Sequence, residues 1–377
     1  MTADADIKVL RQGDSSGNEM IIRITLPSRR EIFGFATRNA YGGEWDLGPT
    51  WNYMVRSDRP FLVDTGRRGM GPKLLRMMED TDVHCSDLAF VTLSHGHEDH
   101  DGGLFELAKA SGATILAHKT YGSLVQVYPD RAPSPEKQGF PASCWDCRMP
   151  KSFYEEHCLA YHGQRRTLAI SDLFECRDDL GEGISVLHVP GHSPDAVAFV
   201  IDGEAMLIGD TILPGITPHP TREAMFAHTK SLLPGEYTDA QQLYGLRAYL
   251  RSLGELRGVG QDLLVLPAHR LFHKDQWNHI ELEERIDELF EHHISRCSDI
   301  LDIVRGEPKA PEEIARAHFP PERLKGAGLN MAVNEVLSHC ELLEAGGDVV
   351  WEDDRVLATG RRPGFESMIR ALAEIEP

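Results

Sequence analysis

Basic residues are scarce in this chain of 377 residues. Its 39 lysines and arginines face 59 aspartates and glutamates, which gives a formal net charge of −20 at pH 7. Proteins that hold nucleic acids or anionic membranes through their phosphates need a basic surface, so this balance disfavours a long nucleic-acid track and polybasic membrane binding. We therefore expect a small-molecule substrate and no membrane partner, with a homo-oligomer as an open alternative.

Long hydrophobic runs and regularly spaced cysteines are also absent. No stretch resembles a membrane span, and residues 1–6 lack the basic and apolar regions of a secretion signal. The seven cysteines, an odd number scattered along the chain, are more typical of reduced thiols than of a disulfide framework. Together these features predict a cytoplasmic protein, and the length of the chain indicates about two domains.

One short segment is rich in metal-binding side chains. His95, His97, Asp99 and His100 fall within six positions, directly after the apolar stretch 88–93. Neutral imidazole and carboxylate are ligands that a borderline cation such as zinc prefers. Alternate residues of a tight loop can converge on one point, with Asp99 and His100 facing a second point. The segment therefore predicts a metal site.

Three further candidate ligands, His192, Asp210 and His269, each follow a short apolar stretch that reads as a buried strand. His192 or Asp210 alone would be an ordinary turn residue. However, strand ends of one sheet bring distant side chains together, and catalytic groups gather in loops at such edges. Their order and placement indicate that they complete the metal site.

The order of these motifs resembles that of the metallo-β-lactamase superfamily, in which a strand ending in Asp precedes His-x-His-x-Asp-His and then single His, Asp and His. The segment 63–66 (Val-Asp-Thr-Gly) matches the first motif. The resemblance covers nearly the whole chain except residues 119–170 and implies an α/β fold, the αββα sandwich. This chain departs from the family pattern at Ala268 and Arg270, where the family usually has Gly, and Arg270 could change the charge of the pocket.

The resemblance also implies a role for each candidate ligand. The seven ligands would hold two ions, one bound by His95, His97 and His192 and the other by Asp99, His100 and His269, with Asp210 bridging. Asp64 would order the ligand loop from outside the ligand set. We expect two divalent cations, with Zn2+ favoured and iron or manganese as alternatives.

Two such ions about 4 Å apart would hold a bridging water, lower its pKa towards roughly 7 and present hydroxide at neutral pH. Asp99 would orient that hydroxide or shuttle a proton. We expect a hydrolase of small activated acyl compounds, such as thioesters, lactones or other esters. The alternatives are a phosphodiesterase or endoribonuclease and an iron-dependent redox enzyme. His219, His228 and Lys230, which follow Asp210, are candidate substrate contacts.

The first of two expected domains comprises residues 1–272. Its predicted elements are strands at 20–26, 50–56, 60–63 and 113–117 and helices at 71–79, 103–111 and 237–257. Residues 119–170 break this rhythm and are interpreted as an insertion that covers the cleft. Within the insertion, four residues are candidates for an additional structural zinc site: Cys144, Cys147, His157 and Cys158.

The second expected domain comprises residues 273–377. It begins with a long amphipathic run at 273–304, continues with helices at 311–318 and 330–345, and ends in a hairpin across 349–358. Helix, helix and hairpin resemble the winged-helix-like extension of a branch that includes glyoxalase-II-like hydrolases and lactamase-β-like endoribonucleases. The would-be recognition helix carries no Lys or Arg but has Glu335, Glu341 and Glu344, so we expect packing, pocket completion or dimerisation rather than DNA binding.

Overall fold

The computed structural model describes residues 5–39, 46–126, 159–177, 180–260, 262–326 and 328–374. Two facing β-sheets form its centre. The larger sheet has eight strands side by side in chain order: β1 (Asp6–Arg11), β2 (Ile21–Thr25), β3 (Glu31–Thr37), β4 (Thr50–Val55), β5 (Phe61–Val63), β6 (Phe90–Thr92), β7 (Thr114–Ala117) and β8 (Ile170–Asp172). The strands from β1 to β5 pair antiparallel, and those from β5 to β8 pair parallel.

The smaller sheet has the strand order β12-β11-β10-β9. Its strands are β9 (Ile184–His188), β10 (Val197–Ile201), β11 (Ala205–Gly209) and β12 (Leu264–Pro267). Strands β11 and β12 run parallel, and the other pairs are antiparallel. Every residue of β10 and β11 is buried, because both faces of these strands are covered.

Helices cover the outer faces of both sheets. In chain order they are α1 (Gly71–Glu79), α2 (Glu98–Asp101), α3 (Leu104–Ser111), α4 (Lys119–Gln126), α5 (Leu159–Arg165), α6 (Met225–Thr229), α7 (Gly245–Arg257), α8 (Leu282–Ile303), α9 (Pro311–His318), α10 (Gly328–Ala345) and α11 (Phe365–Ala373). One buried cluster lies between the sheets and includes Trp51, Phe61 and Phe199. A second packs Leu74 of α1 and Leu104 of α3 on the larger sheet. The order helices, sheet, sheet, helices confirms the αββα prediction.

The C-terminal elements pack on the smaller sheet. A single buried cluster joins Ile208 of β11 and Tyr249 of α7 with Phe290 of α8, Val336 of α10 and Ile369 of α11. A hairpin of β15 (Val349–Glu352) and β16 (Arg355–Ala358) follows α10, as expected from the sequence. The resemblance of this tail to a winged helix stays a prediction.

One predicted helix and the long amphipathic run at 273–304 become helical later in the chain than their spacing indicates. The helix expected at 237–257 begins only at Gly245, because Tyr244 is extended (φ −121°, ψ 154°). Residues 273–281 are not helical: β13 (Phe272–His273) and β14 (Gln276–Trp277) form a hairpin, with Lys274 and Asp275 at positive φ. Positive φ at both central residues is typical of a tight hairpin turn. The spacing of hydrophobic residues contains no information about such a turn, so the pattern alone could not show that the helix begins after it.

Part of the expected insertion is regular, since α4 and α5 lie at its ends and were not predicted. The candidate zinc ligands at positions 144, 147, 157 and 158 lie outside the described residues. Among the helices of the described ranges, none combines the length and the apolar character that crossing a bilayer requires.

Candidate metal centre

The candidate ligands lie at one edge of the two-sheet sandwich, where strands end. The 95–100 segment, named here the ligand loop, follows β6 and ends in the short helix α2. His192 follows β9, Asp210 follows β11 and His269 follows β12. The sheets approach closely at this edge: a Cβ on Gly209, whose φ is +57°, would lie only 2.7 Å from the Cβ of Ser94. A glycine is therefore needed immediately before Asp210 to let the two sheets share one site.

Three histidines form the first group of ligand atoms. His97 Nδ1 lies 2.9 Å from His95 Nε2 and 3.1 Å from His192 Nε2. A proton on His97 Nδ1 satisfies only one of these neighbours, whereas a cation accepts lone pairs from all three. Burial and the neighbouring imidazoles lower the pKa of His95 well below its ordinary value, and burial lowers that of His192. These rings are therefore held neutral, which is the form that binds metal.

Asp99, His100 and His269 form the second group. His269 Nε2 lies 3.2 Å from Asp99 Oδ2, and His100 Nε2 lies 3.7 Å from Asp99 Oδ1. Both ring nitrogens are fully buried without a hydrogen bond of good geometry. Burial opposes the protonated form of His100, but Asp210, Asp99 and Asp64 outweigh it and raise the pKa of His100. This half of the site therefore attracts positive charge.

Asp210 joins the two groups. Its Oδ2 lies 3.5 Å from His100 Nε2 and 3.7 Å from His192 Nε2, and its Oδ1 lies 3.5 Å from His269 Nε2. Oδ1 is also buried without a hydrogen-bond donor. Five imidazoles and two carboxylates are suitable ligands for divalent metal ions. Several of their ligand atoms are buried without a hydrogen bond, which a bound cation would satisfy. The structure thus brings all seven sequence-predicted ligands together.

Acceptors behind the histidines hold their other ring nitrogens. His192 Nδ1 donates to the carbonyl of His219 at 2.8 Å, and His269 Nδ1 donates to that of Pro49 at 3.0 Å. His100 Nδ1 lies 3.0 Å from Asp64 Oδ2. Each contact leaves Nε2 free to face the site. Asp64 itself has a φ of +66°, which is uncommon for residues other than Gly but better tolerated by Asp.

One supporting residue, Asn39, was missed in the sequence. Its Nδ2 donates to Asp99 Oδ2 at 2.8 Å and so fixes the orientation of that carboxylate. Asn39 lies two positions beyond the end of β3. The sequence signal was a single polar residue after a strand, which occurs at many turns.

A buried polar network behind the ligand loop was also missed. Asp101, one residue beyond His100, accepts hydrogen bonds from Tyr121, Tyr161 and Arg165. Arg165 additionally donates to the carbonyl of Gly96, between His95 and His97, at 3.3 Å. The network thus ties α4 and α5 to the ligand loop. Partners 20 to 64 residues apart in sequence leave no local pattern to recognise.

The three predicted substrate contacts lie in different surroundings. His219 Nε2 donates to the carbonyl of Met331 at 3.2 Å. His228 lies on α6, and the Lys230 ammonium lies 5.6 Å from the centre of the Phe226 ring. The structure brings neither His228 nor Lys230 into the ligand groups, and their contact with substrate stays a prediction.

Residues 45–269 match the family model of the metallo-beta-lactamase superfamily, and the chain belongs to that family. The match includes all seven candidate ligands. It confirms the resemblance seen in the sequence, and with it the expectation of a metal-dependent enzyme of this superfamily.

Relatives of known sequence or structure extend beyond the matched segment. The chain is 24% identical over 322 residues to the "Probable metallo-hydrolase YqjP" of Bacillus subtilis, covering 82% of this chain and 93% of the relative. A metallo-beta-lactamase family protein from Thermus thermophilus aligns with a TM-score of 0.56 at 20% identity, covering 87% of this chain and 98% of that one. A beta-lactamase domain protein from Burkholderia ambifaria aligns with a TM-score of 0.60 at 19% identity, covering 87% and 91%. These structures support the fold alone.

Proposed function

We propose that the protein is a dinuclear metal-dependent hydrolase of small activated acyl substrates, such as thioesters, lactones or other esters. The observation that carries the proposal is the position of Asp210 between the two groups of ligand atoms. One of its oxygens lies near His192 and His100, and the other lies near His269. Two divalent ions, Zn2+ in the simplest case, would supply ionised water and a Lewis acid for the carbonyl oxygen. The Bacillus subtilis relative is named as a probable metallo-hydrolase, which supports this reaction class.

The chain's own residues prepare the site for this reaction. Asn39 holds one oxygen of Asp99, so the carboxylate keeps a fixed orientation and can accept and pass on a proton. The carbonyls of His219 and Pro49 keep the Nε2 atoms of His192 and His269 directed at the site. These groups are preorganised, and little rearrangement is needed during the reaction.

The charge of the chain favours a small substrate over RNA. The net charge is −20, and Glu335 and Glu341 on α10 are engaged within the protein, with Arg296 and with the amides of Glu223 and Ala224. Long polyanions need basic surface for binding. A screen should still include phosphodiesters and RNA, because family resemblance alone does not choose a substrate.

The test is a hydrolysis screen of metal-quantified protein against acyl thioesters, lactones, phosphodiesters and RNA. We expect two ions per chain and turnover of an acyl substrate, with metal and activity lost together in His95→Ala and Asp210→Ala while the circular dichroism spectrum is retained. Activity in metal-depleted protein would refute the proposal. Cleavage of RNA without turnover of acyl substrates would indicate that the protein is a nuclease. Bound iron together with oxygen consumption would indicate a redox enzyme.

A further inference from the structure

We infer that the C-terminal helices α8 and α10 are part of the support of the metal centre, and that Arg285 and His219 are positioning residues for the ligand His192. The inference rests on the metal-binding part of the proposed function and is independent of the substrate. It concerns residues 211–221, named here the Asp210 loop, which connect Asp210 to the segment that packs beside His192.

Both ends of the Asp210 loop are tied to the catalytic sandwich. At its start, the hydroxyl of Tyr249 on α7 donates to the carbonyl of Thr211 at 2.9 Å. At its end, the amide and the hydroxyl of Thr221 both donate to the carbonyl of Gly191, each at 2.7 Å. Gly191 directly precedes His192, so the position of this loop and that of His192 are linked.

The middle of the loop is held by the C-terminal helices instead. Arg285 of α8 donates from Nε to the carbonyl of Leu213 at 2.9 Å and from Nη2 to that of Ile216 at 2.7 Å. The side chain of Arg285 is only 15% exposed, so these bonds are largely shielded from water. One planar guanidinium thus fixes two carbonyls of the loop, which a lysine cannot do with the same geometry.

Met331 of α10 makes the second tie. Its carbonyl accepts the hydrogen bond of His219 Nε2 at 3.2 Å, and the carbonyl of His219 accepts that of His192 Nδ1 at 2.8 Å. A chain of two hydrogen bonds therefore runs from α10 to a metal ligand. The hydrogen bond from His192 Nδ1 to the carbonyl of His219 fixes the tautomer and the ring orientation of His192. Movement of His219 would therefore turn Nε2 of His192 away from the site.

The test compares zinc binding of full-length variants. Arg285→Gln removes the guanidinium ties, and His219→Leu removes the donor to Met331, whereas His219→Gln keeps a donor at the place of Nε2. Arg305→Gln is the matched control, because Arg305 is 78% exposed and pairs with Asp302 on the surface. Zinc affinity is measured by competition with a chromophoric chelator, the ligand field by the visible spectrum of the cobalt-substituted protein, and folding by thermal unfolding of the metal-free form.

We expect Arg285→Gln and His219→Leu to weaken binding of one zinc ion about 10-fold to 100-fold and to alter the cobalt spectrum. His219→Gln and Arg305→Gln should bind zinc as the wild type does. Unchanged affinity and spectrum in both Arg285→Gln and His219→Leu would overturn the inference, as would an unchanged affinity of His219→Leu with a raised KM, which would assign His219 to substrate. Normal zinc binding without any hydrolysis in the wild type would instead refute the proposed function and leave this inference standing.

Discussion

Asp64 Oδ2 lies 3.0 Å from His100 Nδ1, and this contact determines which nitrogen of His100 carries the proton. The same carboxylate accepts the amide and the hydroxyl of Ser94, both at 2.7 Å. An ionised carboxylate only accepts hydrogen bonds, so Nδ1 of His100 must be the donor. In the neutral ring Nε2 is then the unprotonated nitrogen and faces Asp99 and Asp210, so a cation that displaces the second proton of His100 binds there.

Replacing Asp64 with Asn should reverse this tautomer. The amide oxygen would accept the Ser94 amide, which places the NH2 group at His100 Nδ1 and moves the ring proton to Nε2. We expect Asp64→Asn to weaken metal binding about 10-fold to 100-fold with little loss of folded protein. Chelator competition measures the affinity, and Asp58→Asn in an exposed turn is the control. Wild-type affinity in Asp64→Asn would contradict the role.

Asn39 should affect catalysis more than metal content. Its Nδ2 orients Asp99 through Oδ2, and Asn39→Ala removes that bond while leaving the ligand set intact. We expect kcat to fall about 10-fold, less than the roughly 100-fold to 10,000-fold that a proton-transfer group itself contributes, because Asp99 stays in place and both metal ions are retained. Asn39→Asp should be worse, because it places a second carboxylate against Asp99. Steady-state kinetics on metal-quantified protein test both variants, and an unchanged kcat in Asn39→Ala would refute the positioning of Asp99.

The ligand set could be read from the sequence because the polypeptide encodes it locally. His95, His97, Asp99 and His100 share one short segment that runs from the end of β6 into α2. His192, Asp210 and His269 each follow an apolar run that forms a strand. Strand ends at one edge of a sheet pair are a general feature of the fold class, so the convergence followed from order alone. Burial of β11 and β12 explains the apolar runs before Asp210 and His269, whereas β9, before His192, is only half-buried and the expectation of a buried strand there was wrong.

The supporting residues could not be read in the same way. The carbonyls of Pro49 and His219 are backbone atoms, and any residue type supplies one. Arg165 reaches Asp101 from 64 positions away, and its i, i+4 partner Tyr161 looks like any helical pair. The hairpin at 272–277 was missed because its turn residues, Lys274 and Asp275, are not the usual glycines or asparagines.

The Asp101–Arg165 pair should be strongly coupled. Both side chains are buried, with exposures of 1% and 4%, and their closest atoms lie 2.5 Å apart. Arg165→Met leaves the Asp101 charge without its cation and should cost about 3–5 kcal/mol in the free energy of unfolding. Urea unfolding of Arg165→Met, Asp101→Asn and the double variant forms a cycle, in which the double variant should be less destabilised than the sum of the two single ones. If the changes in the free energy of unfolding are additive, Asp101 and Arg165 are not coupled and the prediction is wrong.

A stacked pair of buried histidines, His118 and His188, should make stability depend on pH. The rings of His118 and His188 lie 3.9 Å apart at 15° to each other. Burial, together with the neighbouring His188, lowers the pKa of His118 to about 2, and burial lowers that of His188 to about 4. Thr120 donates its amide to His118 Nδ1, and His188 Nε2 donates to the carbonyl of Pro194. Both rings are therefore held neutral in the folded protein.

The lowered pKa values of His118 and His188 determine how stability changes with pH. Above pH 6.5 both rings are neutral in the folded and the unfolded chain, so they add no pH dependence. Below pH 6.5 the unfolded chain takes up protons that the folded protein refuses, and stability falls by up to about 1.4 kcal/mol per pH unit for each histidine as the pH approaches 4. The metal-free protein should therefore lose stability between pH 6.5 and 5. In His118→Asn/His188→Gln, which keeps the acceptor and the donor, urea unfolding at pH 7.5, 6.0 and 5.0 should show a shallower decline, and parallel profiles for the two proteins would contradict the assignment.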